Sequence, residues 1–185
     1  MKRISAAWMI APVLLAAACK KNESAAAAPP AGSSAPAAST AAAPAPTAAP
    51  ALVTDKALLD GHLVEVTHSR WDGGQTSDMF DTNKDSLART ERANPAVIEI
   101  KMPEPKPLRG ISVTTGGMDA GLTVVVTPVS GAPKTYTKEF RHMPPDPTFG
   151  LDFDTGAAPV QTVHVEIKDL NGGDGHIHIR TLKLR

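Results

Sequence analysis

The chain has one cysteine in 185 residues. No disulfide can form within it, and no cysteine-based zinc site can be built. Aromatic residues are only 4% of the total. Six of them (Trp71, Phe80, Tyr136, Phe140, Phe149 and Phe153) lie beyond residue 51, so any core there must be mainly aliphatic. Neither sign of charge dominates, since 19 Lys and Arg balance 19 Asp and Glu. Without a basic footprint, nucleic-acid binding is not expected. The chain has no G-x-S-x-G elbow, no P-loop and no dinucleotide fingerprint. Its scattered carboxylates have no spacing that selects an acid–base pair, and nothing points to an enzyme. Beyond residue 51 no stretch keeps a 3.6-residue period, although ALLDGHL at 57–63 could carry one helical turn.

What is present divides into three parts. Residues 1–18 have a basic start (Lys2, Arg3), an apolar run from Ile4 to Leu15 and three small residues, Ala16 to Ala18. That is the pattern of a secretory signal, too short for a membrane-spanning helix. Cys19 follows at once, as at a bacterial lipoprotein processing site, although the nearest leucine, Leu15, is four residues before it. The expectation is lipidation of Cys19; the alternative is ordinary signal cleavage. Lys20, rather than Asp, resembles default sorting to the outer membrane of the bacterial cell envelope. Residues 19–51 are mostly Ala and Pro. Such a composition cannot build a core and reads as a disordered linker. Stretched as polyproline II, residues 23–51 would reach about 90 Å.

Residues 52–185 hold 15 basic and 18 acidic residues and have the size of one domain. Apolar and polar residues alternate at 62–68, 96–101, 109–115, 122–129, 134–140, 149–153, 160–168 and 176–184. Gly- and Pro-rich turns separate these runs. The reading is all-β: an antiparallel β-sandwich of about eight strands. In the last run Ile177 and Ile179 share one parity while Leu182 and Leu184 share the other. A bulge near Arg180 and Thr181 would bring all four into one core. The longest strand-poor connection is 69–95, where a binding site is most expected.

Three stretches together carry a family resemblance. They are FDTNKDSLART at 80–90, NPAVIEIKMPEPKPLRGISVT at 94–114 and the closing VQTVHVEIKDLNGGDGHIHIRTLKL. Their order resembles the discoidin domain, the coagulation factor 5/8 type C module of the galactose-binding-like group. The resemblance spans roughly 60–185. Ala88 stands where that family usually has Trp, and Met102–Pro103 replaces its usual Leu-Gly. The family implies a jelly-roll that binds glycans, lipid headgroups or proteins through loops at one end, without catalysis. It also implies a structural calcium at Asp81, Asn83 and Ser86. Thr181 replaces a glutamate ligand there.

The residues themselves leave alternatives open. Asp81, Asn83 and Ser86 could hold a hard cation, which wants six to eight oxygens, or could cap their own turn. Arg89, Arg92 and Asn94 suit sugar hydroxyls or anions, but Arg89 could instead pair with a carboxylate. Trp71, beside Asp72 in a Gly-rich loop, could stack on a sugar ring or plug the core. His176 and His178 share a face and could chelate a metal, but no third ligand can be placed, and solvent-facing edge residues are the plainer reading. The expectation is a lipid-anchored envelope module that binds carbohydrate through Trp71, Asp72, Arg89, Arg92 and Asn94. The alternative is a module that docks on an envelope protein. A monomer is expected in either case.

Overall fold

The computed structural model describes residues 51–185 apart from 82, 84 and 174. The signal sequence, Cys19 and nearly all of the linker lie outside the described residues. Eleven strands form two antiparallel sheets. They are β1 (Leu52–Leu59), β2 (His62–Ser69), β3 (Trp71–Gly73), β4 (Ala88–Thr90), β5 (Ala96–Pro107), β6 (Gly110–Thr115), β7 (Ala120–Pro128), β8 (Lys134–Phe140), β9 (Thr148–Asp152), β10 (Pro159–Asp169) and β11 (His178–Leu184). Six strands make one sheet in the order β1-β2-β5-β10-β7-β8, and five make the other in the order β3-β4-β11-β6-β9.

The alternation places the core between the sheets. Ile98 and Ile100, Leu122 to Val126 at alternate positions, and Val163, Val165 and Ile167 face inward from the larger sheet, all fully buried. Ile111, Val113, Ile177, Ile179 and Leu182 meet them from the smaller one. Each such side chain stabilises the fold by about 1.5–3 kcal/mol. The core is aliphatic, with Phe149 and Phe153 buried at its border.

The expected sandwich is present, and three strands exceed the expected eight. In β1 only Ala57 and Leu59 are buried, so as an edge strand it carries almost no inward signature. Strands β3 and β4 have three residues each, too short for alternation to show. Residues 57–63 are not helical. Leu59 pairs with His62 across Asp60 and Gly61, whose φ values are 52° and 81°. Two left-handed residues in succession make the tight hairpin turn that matches strand twist. Strand β5 continues past 101 to Pro107. Pro103 and Pro105 have no N–H to donate, and β2 pairs with β5 only as far as Lys101. Residues 69–95 hold β3, β4 and one turn of 3-10 helix, Thr76–Met79. No α-helix occurs among the described residues.

The bulge falls where the parity change demands it. Ile179 pairs with Thr115, but Thr181 pairs with Thr114, leaving Arg180 as the extra residue. Leu182 and Leu184 return to the core.

Candidate functional site

Trp71 is half-buried. Its ring stacks on that of His68, 4.5 Å between centroids and 8° from parallel. Its indole N–H donates to Thr76 Oγ1 at 3.0 Å. Thr76 Oγ1 in turn lies 2.7 Å from Asp55 Oδ2 and 2.9 Å from His68 Nε2. His68 is buried; its Nδ1 is 2.8 Å from the Ser69 carbonyl and its Nε2 is 3.0 Å from Asp55 Oδ2. The Thr76 hydroxyl, and next the imidazole of His68, hold the Asp55 carboxyl below the usual carboxylate range. Hydroxyl, imidazole and carboxylate meet here without forming a catalytic relay. In a relay the carboxylate orients one ring nitrogen while the nucleophile uses the other; here both oxygens crowd Nε2. The network fastens β1, β2 and the 3-10 turn to β3, which begins with Trp71.

Strand β3 presents Asp72, and Asp72 organises a cleft. Arg89 Nε donates to Asp72 Oδ1 at 2.6 Å, and His176 Nδ1 is 3.3 Å from Asp72 Oδ2. The Arg89 guanidinium, before all else, holds the Asp72 carboxyl below the usual range. His176 Nδ1 also lies 2.7 Å from the Thr90 carbonyl. Gly73 packs beneath Arg89: a Cβ there would be 3.5 Å from Arg89 Nε. Arg89 is thus gripped on one edge, while its two terminal nitrogens meet no partner among the described residues. Arg89 lines an open cleft of about 490 Å³ together with Gly116, Gly117, Met118, Asp169, His176 and His178. Charged donors, an acceptor and a thioether share one concavity.

The other expected ligand residues are placed differently. Asn94 makes a two-way bridge to the Asp169 backbone. Its Nδ2 donates to the carbonyl at 3.1 Å and its Oδ1 accepts from the N–H at 3.0 Å. It fixes the wall of the cleft rather than lining it. Arg92 is exposed, has φ 47°, and borders a separate shallow depression with Ala51, Arg70, Glu91 and Ala93. Asp72 and Arg89 are therefore brought together, while Trp71, Arg92 and Asn94 surround them. His176, His178, Asp169 and the Gly116–Met118 loop are additions. The shared face of the two histidines was the one sequence signal for them. Among the described residues no group of three or more His, Cys, Asp or Glu could hold a metal.

Asp81, Asn83 and Ser86 bring their oxygens together. Ser86 Oγ is 2.8 Å from both carboxylate oxygens of Asp81 and 2.7 Å from the Asn83 carbonyl. One hydroxyl proton serves three acceptors. Asp81 Oδ1 also accepts from the Asn83 N–H at 3.0 Å. Thr181 is engaged elsewhere, donating to Thr114 Oγ1 at 2.9 Å.

No family model matches the sequence, and no curated protein matches it. Solved structures do match. One is the family 32 carbohydrate-binding module of NanJ from C. perfringens in complex with galactose, at 14% identity and TM-score 0.50, covering 65% of this chain and 92% of that one. Another is the family 32 module of AlyQ in complex with 4,5-unsaturated mannuronic acid, at 11% identity and TM-score 0.52, over 65% and 92%. A Ruminococcus gnavus GH29 fucosidase in complex with fucose is matched over 25% of its length and 65% of this chain, at 13% identity and TM-score 0.52. Identities this low carry the fold and not the ligand. The described chain has the galactose-binding-like, discoidin-type β-sandwich fold.

Proposed function

We propose that this protein is a carbohydrate-binding module and that the Arg89 cleft is its binding site. The observation that carries the reading is the posture of Arg89. Asp72 pins its Nε, and the side chain lines a cleft that also offers Asp169, His176, His178 and Met118. Sugar rings need donors and acceptors in fixed directions together with an apolar contact, and clefts of this kind supply them. Two of the solved structures with this fold contain bound sugars by name, galactose and an unsaturated mannuronic acid. Trp71 and Asn94 support the cleft walls in this reading, and Arg92 would reach only a ligand that extends past β4.

A glycan array with the full chain, followed by calorimetry on the strongest binder, tests the proposal. Arg89→Ala should weaken binding about tenfold or more and leave the melting temperature unchanged. A blank array, or unaltered affinity in the variant, would reject it.

A second reading, docking on an envelope protein, is favoured by a separate observation. Leu52, Val53, Leu58 and Leu63 are exposed by 39–63%, and all four lie on the β1–β2 hairpin. Leu58 pairs with Leu63 beside the turn, and Leu52 and Val53 lie at the other end of the hairpin; exposed apolar side chains gathered on one element mark interaction surfaces. Two further parts of the proposal rest on the sequence. Cys19 would carry a lipid that holds the module to the bacterial envelope, and Cys19→Ala should move the protein out of the membrane fraction. Asp81, Asn83 and Ser86 would hold a structural calcium, because their oxygens outnumber the one hydroxyl proton among them.

A further inference from the structure

We propose a second glycan subsite on the outer face of the five-stranded sheet, so that the ligand is an oligosaccharide laid along β6 and β11 rather than a single terminal sugar. The inference rests on the carbohydrate reading of the Arg89 cleft and extends it.

A second concavity of about 450 Å³ lies on this face, lined by Asp85, Ser112, Thr114, Asp146, Thr148, Arg180, Thr181 and Lys183. It continues the first along the same strands. Ser112 and Thr114 of β6 line the second concavity, and Gly116, just past the end of β6 and still bonded to the His178 carbonyl, lines the first. On β11, Arg180 follows His178 by two. Alternate residues of a strand share a face, so the two concavities form one trough, roughly 20 Å long from His176 to Lys183 at the usual rise per residue. Gly116 keeps the passage open, since a Cβ there would lie 3.3 Å from His178 Cβ.

The bulge concentrates polar groups in this trough. Thr181 pairs with Thr114 and so faces outward, and the extra residue Arg180 lines the same concavity. Two consecutive side chains therefore reach one face, which regular pleating does not allow. Arg180 Nε donates to Asp146 Oδ1 at 3.0 Å, which holds the guanidinium in the wall. Across the floor runs a chain of hydroxyls. Thr181 Oγ1 donates to Thr114 Oγ1 at 2.9 Å. Thr114 Oγ1 and Thr148 Oγ1 lie 2.8 Å apart and share one proton, so the pair keeps one further hydroxyl proton to offer. Such chains polarise their last donor. A polyol matches a surface with this mixture of hydroxyls, two cations (Arg180, Lys183) and two carboxylates (Asp85, Asp146). A purely anionic or purely apolar ligand does not.

The test is calorimetry of the full chain against mono-, di- and tetrasaccharides of two series, one of galactose and one of mannuronate. The expected result is an affinity at least tenfold higher for one tetrasaccharide than for its monosaccharide. In the Thr114→Val/Thr148→Val double variant that gain should disappear while monosaccharide affinity stays within twofold. Lys183→Ala, at an exposed position, should reduce the gain in the same direction should the double variant fail to fold. Wild-type affinity independent of chain length, or a gain untouched by the variants, overturns the second subsite and leaves the Arg89 cleft standing. Absence of binding at every length overturns both.

Discussion

At the residue scale, Trp71 and Arg89 show how far a single position can be read. The sequence left Trp71 between sugar platform and plug. Its setting depends on His68 and Thr76, which flank it in sequence and close around it only because β2 and the 3-10 turn converge. Trp71→Ala should cost about 2–3 kcal/mol, the lower range for losing a large aromatic that is only partly buried. Urea denaturation measures this directly. Asp55 supplies a pH dependence. Its folded-state carboxyl titrates below the ordinary value because Thr76 and His68 favour the charged form. The resulting stability is present above the unfolded carboxyl's range, near pH 4, and is lost as pH falls through the folded value. Its side chain is 46% exposed, so solvent limits the contribution to about 1 kcal/mol or less. Asp55→Asn should flatten the fall in stability between about pH 5 and about pH 3, whereas an unchanged slope would show that Asp55 contributes nothing to it.

At the element scale, alternation revealed the longer strands, the edge strands β8 and β9 included, and missed β1, β3 and β4. The inward sides of β5, β7 and β10 are uniform, so their period is plain. An edge strand such as β1 and the three-residue strands β3 and β4 carry too little of it. The β11 bulge was legible because two leucines changed parity. Deleting Arg180 should turn Leu182 and Leu184 toward solvent, costing about 4 kcal/mol at about 2 kcal/mol per leucine. That is a large share of a small domain's stability, and circular-dichroism melts should show a much lower transition or none. An unchanged melt would mean that the strand re-registers freely. The 81–86 turn makes a further prediction. Calcium at about a hundred times its dissociation constant should add about 2.7 kcal/mol and raise the melting temperature, and Asp81→Ala should abolish the rise. No shift in the wild type would reduce the loop to a turn capped by its own side chains.

At the scale of the whole molecule, fold and site were legible to different degrees. Fold rests on many positions at once, so the β-sandwich survives the loss of family features at Ala88 and Met102. The cleft rests on a few side chains gathered from β4, β11, the end of β10 and the loop after β6. Arg89 and Asp72 were visible because the long 69–95 connection drew attention to them. Asp169, His176 and the Gly116–Met118 loop come from distant stretches that only the sandwich brings together. In the proposed function, the sandwich meets its carbohydrate at the cleft that Arg89 lines. The most direct test is a nuclear magnetic resonance titration of the isotope-labelled chain with its strongest array ligand. The account predicts shift changes concentrated at Arg89, Gly116, Gly117, His176 and His178, with the β1–β2 hairpin unmoved. Changes confined to Leu52, Val53, Leu58 and Leu63, with the cleft silent, would contradict it.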